Sequence, residues 1–157
     1  MRVERFYWIA DGRLAGSSRP GGRRDERLAV DLDELQSHGI GAVVSLTETP
    51  IDRFAVEDIG MTYAHIPIVD MTAPSPAQIL QALDAIDLAH AGNRAVVVHC
   101  LAGQGRTGTI LAAWRIRQGA TTDSAITEIR LVCDRAIEND LQIACLHAFE
   151  RDRGWVL

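Results

Sequence analysis

A cysteine and an arginine stand six positions apart at Cys100 and Arg106, within the glycine-rich segment HCLAGQGRTG that begins at His99. The apolar run Ala95–Val98 precedes this segment and the helix-forming run Thr109–Arg117 follows it, which predicts a strand, a tight loop and a helix. Such a loop directs backbone N–H groups and the positive end of a helix dipole at one small volume, which suits an anion the size of phosphate. The same field favours the charged, nucleophilic form of a cysteine sulfur. The sequence therefore predicts a nucleophile inside an anion-binding loop.

The cysteine–arginine spacing alone is weak evidence, because residue frequencies would place such a pair in about one chain in ten of this length. Three features make the segment specific: His99 before the cysteine, glycines at 103 and 105, and the hydroxyl of Thr107 directly after the arginine. A buried cysteine beside an arginine in a surface ion pair would not need these glycines, which tolerate backbone conformations closed to other residues. We call His99–Thr107 the phosphate loop.

Asp70 is the candidate general acid for a phosphoryl group bound in the phosphate loop. It lies in the loop Val69–Pro74, directly after the predicted strand Met61–Ile68. Hydrolysis of a phosphomonoester needs a group that protonates the leaving oxygen and later activates water, and a carboxyl group can do both. The alternative is a loop aspartate that faces solvent or caps a turn. Asp52 and Asp58, at a predicted short helix, are weaker candidates for the acid.

The composition is typical of a soluble globular domain. The chain has 157 residues, of which 47% are hydrophobic and 24% are charged, and its formal net charge is −5. We expect one domain over residues 1–157. The negative charge argues against nucleic acid and anionic membranes as partners, and no apolar run reaches the ~20 residues of a membrane-spanning helix. The first residues lack the apolar stretch of a signal peptide.

The three cysteines lie at positions 100, 133 and 145. Their odd number and scattered positions give neither a disulfide framework nor a metal-ligand pattern. We therefore expect a reduced, cytoplasmic protein with no metal and no cofactor. We also expect a monomer.

The elements that must position the phosphate loop follow from apolar periodicity and turn residues. In the first half, the patterns predict short strands within residues 2–14 around an Asp11-Gly12 turn, a glycine-rich basic loop over 16–24, a helix that carries Leu28, Leu32 and Leu35 and stops at His38-Gly39, a strand over 42–46, and a short helix from Pro50 to Ile59. In the second half, they predict the strand over 61–68, a helix capped by Ser75 and Gln78 that ends at Gly92, the strand over 95–98, the helix over 109–117, a helix over 122–133 with Ile126, Ile129 and Val132 inward, and a helix over 140–152. This alternation favours an α/β sandwich with a mostly parallel sheet of about five strands flanked by helices, and with the phosphate loop between a central strand and a helix.

The segment HCLAGQGRTG resembles the signature of the cysteine-based protein tyrosine phosphatase superfamily, and most of all its small, single-domain dual-specificity branch. Weaker similarity extends over nearly the whole chain, through residues 12–16, 45–48, 66–70 and 124–131. The phosphate loop is by far the most specific of these segments.

The resemblance implies a role for each residue of the phosphate loop. Cys100 would attack phosphorus and form a thiophosphoryl intermediate, Arg106 would hold two equatorial oxygens, and Asp70 would be the acid. The remaining oxygen charge would be bound by backbone N–H groups, those of Leu101, Ala102, Gly103, Gln104, Gly105 and Arg106. Thr107 would donate a hydrogen bond to the Cys100 sulfur and make it a better leaving group. His99 would order the loop behind the sulfur.

Gln142 has two interpretations. It matches a glutamine that positions water in the second reaction step of some superfamily members. Alternatively, Asn139 caps the last helix and Gln142 completes a capping box. The nearby segment Cys133–Glu138 departs from the arginine-proline-glycine turn that is common in the superfamily.

The resemblance implies a phosphatase that hydrolyses phosphotyrosine in proteins or peptides, with phosphoserine and phosphothreonine as further options. Inorganic phosphate or a similar oxyanion would occupy the loop. The side chains of Leu101, Ala102 and Gln104 carry no charge, which disfavours a highly anionic headgroup such as a phosphoinositide or an RNA 5′-triphosphate without excluding either. A phosphate-binding module without catalysis also stays open. The arginines of the 16–24 loop either touch the substrate or face solvent.

Overall fold

A computed structural model describes residues 5–152 and places a five-stranded sheet at the centre of the molecule. The strands are β1 (Tyr7–Ala10), β2 (Leu14–Ser17), β3 (Ile40–Ser45), β4 (Thr62–His65) and β5 (Ala95–His99). The helices are α1 (Leu28–Ser37), α2 (Arg53–Asp58), α3 (Pro76–Ala91), α4 (Gly105–Arg117), α5 (Thr122–Val132) and α6 (Asp140–Arg151). The start of the predicted N-terminal strand region, residues 2–4, lies outside the described residues.

The strand order β1-β2-β5-β3-β4 puts β5 in the middle of the sheet. Strands β2, β5, β3 and β4 run parallel, and β1 is antiparallel to β2, so the predicted mostly parallel sheet is confirmed. At the end of β5, His99 lies between Ser17 of β2 and Ser45 of β3. The phosphate loop therefore leaves the sheet at its carboxyl edge, where open α/β sheets usually bind their ligands.

Helices cover both faces of the sheet, which confirms the predicted α/β sandwich. Val96 and Val98 of β5 pack with helices α3 to α6, whereas Val97 packs on the opposite face with α1 and α2. All three valines are fully buried, as expected for a strand whose alternate side chains meet a helical layer on each side. The strand that carries the phosphate loop is thus fixed from both faces.

Several local predictions hold at the ends and faces of helices. In α3, Ser75 Oγ accepts a hydrogen bond from the Gln78 amide at 3.2 Å, and Gln78 Oε1 accepts one from the Ser75 amide at 2.8 Å, which completes the predicted capping box. In α1, Leu28, Leu32 and Leu35 are buried. Within residues 5–152, no helix has the length and apolar character needed to cross a membrane.

Helix α4 begins at Gly105 rather than at the predicted Thr109. The apolar periodicity starts late, but the amide of Gly108 already donates to the carbonyl of Gln104 at 2.9 Å. Arg106 therefore lies in the first turn of the helix, where the helix dipole is effective.

The loop predicted over residues 16–24 begins later than expected. Gly16 and Ser17 form the end of β2, because they pair with Val98 and His99 of β5. This parallel pairing is not visible in the local glycine and serine composition, which alone predicts a loop.

Two predictions near element ends are wrong. Strand β4 stops at His65 rather than Ile68, because its regular pairing with β3 ends at Ser45 and His65. Beyond that pair, the amides of Ile66 and Ile68 still donate to the carbonyls of Ser45 and Leu46. Val132, expected to point inward, is 49% exposed and is the last residue of α5.

Candidate active site

The phosphate loop holds its cysteine and its arginine below the protein surface. Cys100 is 2% exposed and Arg106 is 3% exposed, and the Cys100 sulfur is a free thiol. Gly105, at the start of α4, lies close to the segment before α6: an added Cβ would lie 2.2 Å from Oε1 of the exposed Glu138 side chain. The glycine lets the helix begin directly against the segment before α6.

The carbonyl groups of the phosphate loop are bound from outside the loop. The Leu101 carbonyl accepts a hydrogen bond from the Arg19 amide at 3.0 Å, and the Gln104 carbonyl accepts one from the Ile137 amide at 3.2 Å. In a planar trans peptide the N–H and C=O groups point in opposite directions. Carbonyls held on the outside therefore turn the following N–H groups toward the inside, as an anion-binding loop requires.

The Gly103 carbonyl receives two buried side-chain donors. Tyr7 donates its hydroxyl at 2.8 Å, and Cys133 donates its thiol at 3.8 Å. Burial raises the pKa of the Tyr7 hydroxyl and of the Cys133 thiol, so both groups remain protonated donors. Gly16 makes room for the tyrosine, because a Cβ there would lie 2.6 Å from its ring. Nothing in the local sequence around Tyr7 distinguishes it from a strand residue that packs in the core, so this role is not predictable from the sequence pattern.

Gly103 itself requires glycine. Its φ is +76°, and an added Cβ would lie 2.5 Å from the backbone carbonyl carbon of Ser17. Both the backbone conformation and the close approach to β2 exclude a side chain at this position.

Arg106 is held by two carboxylates and one carbonyl. Its Nη1 donates to Glu48 Oε1 at 2.9 Å and to the Ile68 carbonyl at 2.9 Å, and its Nη2 is 3.2 Å from Asp70 Oδ1. Glu48 Oε2 also accepts a hydrogen bond from the Asp70 amide at 3.1 Å. This amide and the Arg106 guanidinium lower the pKa of Glu48 below its usual value. Arg106, Glu48 and Asp70 thus form one connected network.

Glu48 is a site residue that no local sequence motif predicts. It follows β3, the immediate neighbour of β5, at the carboxyl edge of the sheet. The position was readable from a correct strand order, since residues after neighbouring parallel strands meet at one edge.

The structure brings Asp70 to the phosphate loop, as predicted. Its side chain is 55% exposed and is paired with Arg106. The next residues of the Asp70 loop are held from α6: Asn139 Nδ2 donates to the Met71 carbonyl at 2.7 Å, and Gln142 Nε2 donates to the Thr72 carbonyl at 3.3 Å. The acid candidate therefore sits between the network of Arg106 and the start of α6.

Gln142 is fully buried, and the structure bears out only part of the capping-box interpretation. Asn139 Oδ1 caps α6 by accepting from the Gln142 amide at 3.0 Å. The Gln142 side chain does not complete the box, because its Oε1 accepts from the Glu138 amide at 2.7 Å instead of the Asn139 amide. An added Cβ on Gly105 would lie 3.1 Å from Gln142 Nε2, so the side chain borders the first turn of α4.

His99 lies behind the phosphate loop with both ring nitrogens engaged. Nδ1 is 3.2 Å from the Cys100 carbonyl, and Nε2 is hydrogen-bonded with Ser45 Oγ. Burial lowers the pKa of His99 to about 3, so the imidazole is neutral near pH 7. The ring thus ties the end of β5 to the end of β3.

The predicted hydrogen bond from Thr107 to the Cys100 sulfur is not formed in this structure. Thr107 is fully buried, and its hydroxyl has no hydrogen-bond partner within residues 5–152. A buried hydroxyl without a partner is costly. The group is therefore available to an acceptor that develops next to it.

A cavity of about 420 Å³ opens over this network. Its walls carry Arg106, Glu48 and Asp70 together with Thr47 and Leu101. Within the described residues, no three His, Cys, Asp or Glu side chains are grouped as metal ligands. The cavity can accept an anion on Arg106 and the inward amides, with a carboxyl group beside it.

A family model described as "Tc-R-P: Polymorphic toxin system, DSP-PTPase phosphatase" matches residues 15–120. The match runs from β2 to the end of α4 and includes the phosphate loop, Glu48 and Asp70. Tyr7, Cys133 and Gln142 lie outside the matched residues.

Two relatives with similar sequences are named as tyrosine phosphatases. The human protein tyrosine phosphatase type IVA 3 is 30% identical over 106 residues, which cover 66% of this chain and 61% of that protein. The tyrosine-protein phosphatase cdc-14 of Caenorhabditis elegans is 27% identical over 130 residues, which cover 77% of this chain and 18% of that protein. The chain thus spans less than two thirds of the length of either relative.

Solved structures extend the similarity over almost the whole chain. Tk-PTP in its active form is 33% identical with a TM-score of 0.82, over 93% of this chain and 96% of that chain. A kinase associated phosphatase with serine in place of its catalytic-site cysteine shares the fold, with a TM-score of 0.84 at 21% identity, over 100% of this chain and 99% of that chain. The chain therefore belongs to the cysteine-based protein tyrosine phosphatase superfamily, as a member of its DSP-PTPase phosphatase family.

Proposed function

We propose that this protein hydrolyses phosphotyrosine, and with it phosphoserine or phosphothreonine, in protein substrates through a cysteinyl-phosphate intermediate on Cys100. The observation that carries the proposal is the ion pair of 3.2 Å between Arg106 and Asp70. It puts a phosphate-binding cation and an acid in one cavity, over a loop that contains a buried cysteine.

In the first step, the Cys100 sulfur attacks phosphorus and the bond between phosphorus and the ester oxygen breaks. Asp70 gives its proton to the leaving oxygen, so the alcohol or phenol departs neutral. The Arg106 guanidinium and the inward amides of the loop hold the three non-bridging oxygens, which carry the charge of the transition state.

In the second step, water attacks phosphorus and the phosphorus–sulfur bond breaks, which releases inorganic phosphate and restores Cys100. Asp70, now a carboxylate, accepts the proton of the water. The unpartnered Thr107 hydroxyl is available to donate to the departing sulfur. Gln142 borders the first turn of α4 but has both ends of its amide bound, which favours a positioning role on the Asp70 loop over contact with water.

Substrate binding requires Arg106 to change partners. Glu48 holds Nη1, whereas Nη2 is bound by the half-exposed carboxyl group of Asp70. An incoming phosphoryl group would displace Asp70 from Nη2 and leave Glu48 in place, because the backbone amide of Asp70 also binds Glu48. The displaced Asp70 carboxyl is then free to meet the leaving oxygen.

Protein substrates are supported by the names of the relatives, which are tyrosine-protein phosphatases. A structure of similar fold, PTPMT1, was solved in complex with PI(5)P at 18% identity, so a phosphoinositide is the second candidate. The proposal also requires a thiol at position 100, and all three cysteines are free. We therefore place the reaction in a reducing compartment such as the cytoplasm.

The test is a substrate panel with a chelator present. We expect hydrolysis of p-nitrophenyl phosphate and of phosphotyrosine peptides, and slower hydrolysis of phosphoserine and phosphothreonine peptides. A phosphoinositide or a 5′-triphosphorylated RNA that is hydrolysed with a higher kcat/KM than every peptide would replace the proposed substrate class.

A further inference from the structure

A second cavity, of about 390 Å³, lies beside the cavity over Arg106 and is lined by the loop between β2 and α1. We call it the basic subsite. Arg19, Arg23 and Leu101 contribute to the walls of both cavities. Because the walls are shared, a substrate that places a phosphoryl group over Arg106 can extend directly into the basic subsite.

The loop around the basic subsite is held in place by buried charged groups. Arg19, 8% exposed, donates to the Gly22 carbonyl at 2.7 Å and pairs with Asp25. Asp31, 5% exposed, accepts a hydrogen bond from the Gly21 amide at 2.7 Å. Arg19 thus supports the loop instead of serving a substrate, and the wall of the subsite is formed before a ligand arrives.

Two other arginines of this wall have no partner. Arg23 and Arg27 are exposed, and within residues 5–152 neither guanidinium takes part in a hydrogen bond or ion pair. The Arg19 charge is matched by Asp25, so the balance of the subsite is two free guanidiniums against the single carboxylate of Asp31. The subsite thus carries a local positive charge, although the net charge of the chain is −5. A positive patch of this kind attracts an anionic ligand.

The basic subsite supplies the charge that the phosphate loop lacks. The loop side chains that reach it, Leu101 and Ala102, carry no charge. We propose that Arg23 and Arg27 bind a second anionic group of a phosphopeptide, an acidic side chain or a further phosphate, while the target phosphate lies over Arg106. This inference rests on the proposed function and names the class of peptide that the enzyme prefers.

The experiment compares phosphotyrosine peptides that differ only in the residues beside the phosphotyrosine: glutamate, glutamine, or a second phosphorylated residue. We expect kcat/KM to be about fivefold higher for the glutamate peptide than for the glutamine peptide, as for two exposed ion pairs. The advantage should shrink as salt is added. The third peptide shows whether phosphate or carboxylate is the better ligand.

The variant Arg27→Gln, at a position that lines only the basic subsite, should reduce this advantage and leave kcat/KM for p-nitrophenyl phosphate unchanged. The double variant Arg23→Gln with Arg27→Gln should remove the advantage. The matched control is Arg24→Gln, an exposed arginine of the same loop that lines neither cavity. Equal activity of the wild type on the glutamate and glutamine peptides would overturn the subsite alone. If no peptide is hydrolysed, the proposed function fails and the inference falls with it. If the double variant loses activity only on phosphoinositide vesicles and keeps its activity on the peptides, the assignment of a phosphopeptide as the ligand of the basic subsite is wrong.

Discussion

The hydroxyl of Tyr7 donates a buried hydrogen bond of 2.8 Å to the carbonyl of Gly103. This contact joins β1, at the edge of the sheet, to the middle of the phosphate loop. Since the carbonyl is held on the outside, the next amide in the loop, that of Gln104, turns toward the anion site. Tyr7 lies outside the residues matched by the family model, so this chain supports its loop with an element beyond that segment.

Replacing Tyr7 by Phe should weaken anion binding without unfolding the protein. The Gly103 carbonyl would keep only the weaker Cys133 donor, and the Gly103–Gln104 peptide could rotate. We expect kcat/KM for p-nitrophenyl phosphate to fall about fivefold, in line with one buried hydrogen bond, and inhibition by phosphate to weaken in parallel. Kinetics with phosphate as inhibitor measures both quantities.

Thr122→Val is the matched control for Tyr7→Phe. It removes another buried hydroxyl, which donates to Glu150 Oε1 at 2.7 Å where α5 begins beside α6. A loss of stability without a change in phosphate inhibition is expected. If both variants affect phosphate inhibition equally, Tyr7 has no specific effect on the loop.

Replacing Glu48 by Gln should separate binding from turnover. The carboxylate orients Arg106 at 2.9 Å and is itself ionised, since the Asp70 amide and Arg106 lower its pKa. Without its charge, the site should bind phosphate more tightly, because one negative group is gone, while kcat falls about tenfold through loss of orientation. If kcat and KM are both unchanged in this variant, Glu48 has no role in phosphate binding or in turnover.

Replacing Asp70 by Asn should slow substrates in proportion to how poor their leaving group is. An amide cannot supply the proton, so we expect a loss of about 100-fold in kcat/KM for phosphotyrosine and a smaller loss for more acidic phenols. A series of aryl phosphates measures this dependence. Asp84→Asn, exposed on α3, is the control; a flat leaving-group dependence in both variants would exclude Asp70 as the acid.

His99 makes the stability of the fold depend on pH. Its pKa is about 3 in the folded state because of burial, below the ~6.5 of an unfolded histidine. The unfolded state therefore binds an extra proton between these values, and the free energy of unfolding falls as pH drops from about 6.5 toward 3. Denaturant unfolding from pH 7 to pH 5 should show this slope.

His99→Gln should reduce that slope, whereas His147→Gln, with a side chain 45% exposed, should keep it. The glutamine variant itself is expected to be less stable at pH 7, since Ser45 and the Cys100 carbonyl lose the imidazole. A pH slope that is the same in all three proteins would contradict the buried, neutral state of His99.

Local patterns were sufficient to predict the strand, loop and helix around Cys100 and Arg106. They also predict that Asp70 lies in a loop after a strand, because strand periodicity and turn residues are visible in short windows of sequence. The cap at Ser75 is equally local.

The rest of the site depends on contacts between distant segments. Tyr7 and Gly103 are brought together by β1 pairing with β2, and Glu48 reaches Arg106 because β3 lies next to β5. No periodicity reports such pairings. The start of α4 at Gly105 also depends on distant contacts. The first turn is held by the loop and by α6, whereas the apolar stripe that predicts a helix begins only later.

Phosphoryl transfer through Cys100 requires a phosphorylated cysteine intermediate, which can be trapped. Rapid acid quench of the Asp70→Asn variant during hydrolysis of an aryl phosphate, followed by mass spectrometry of its peptides, should find one phosphoryl group on Cys100. Slow hydrolysis of the intermediate without the carboxylate lets it accumulate. In Cys100→Ser the phosphoryl adduct and steady turnover should both be absent. A phosphoryl group on another residue, or full turnover by Cys100→Ser, would exclude Cys100 as the nucleophile.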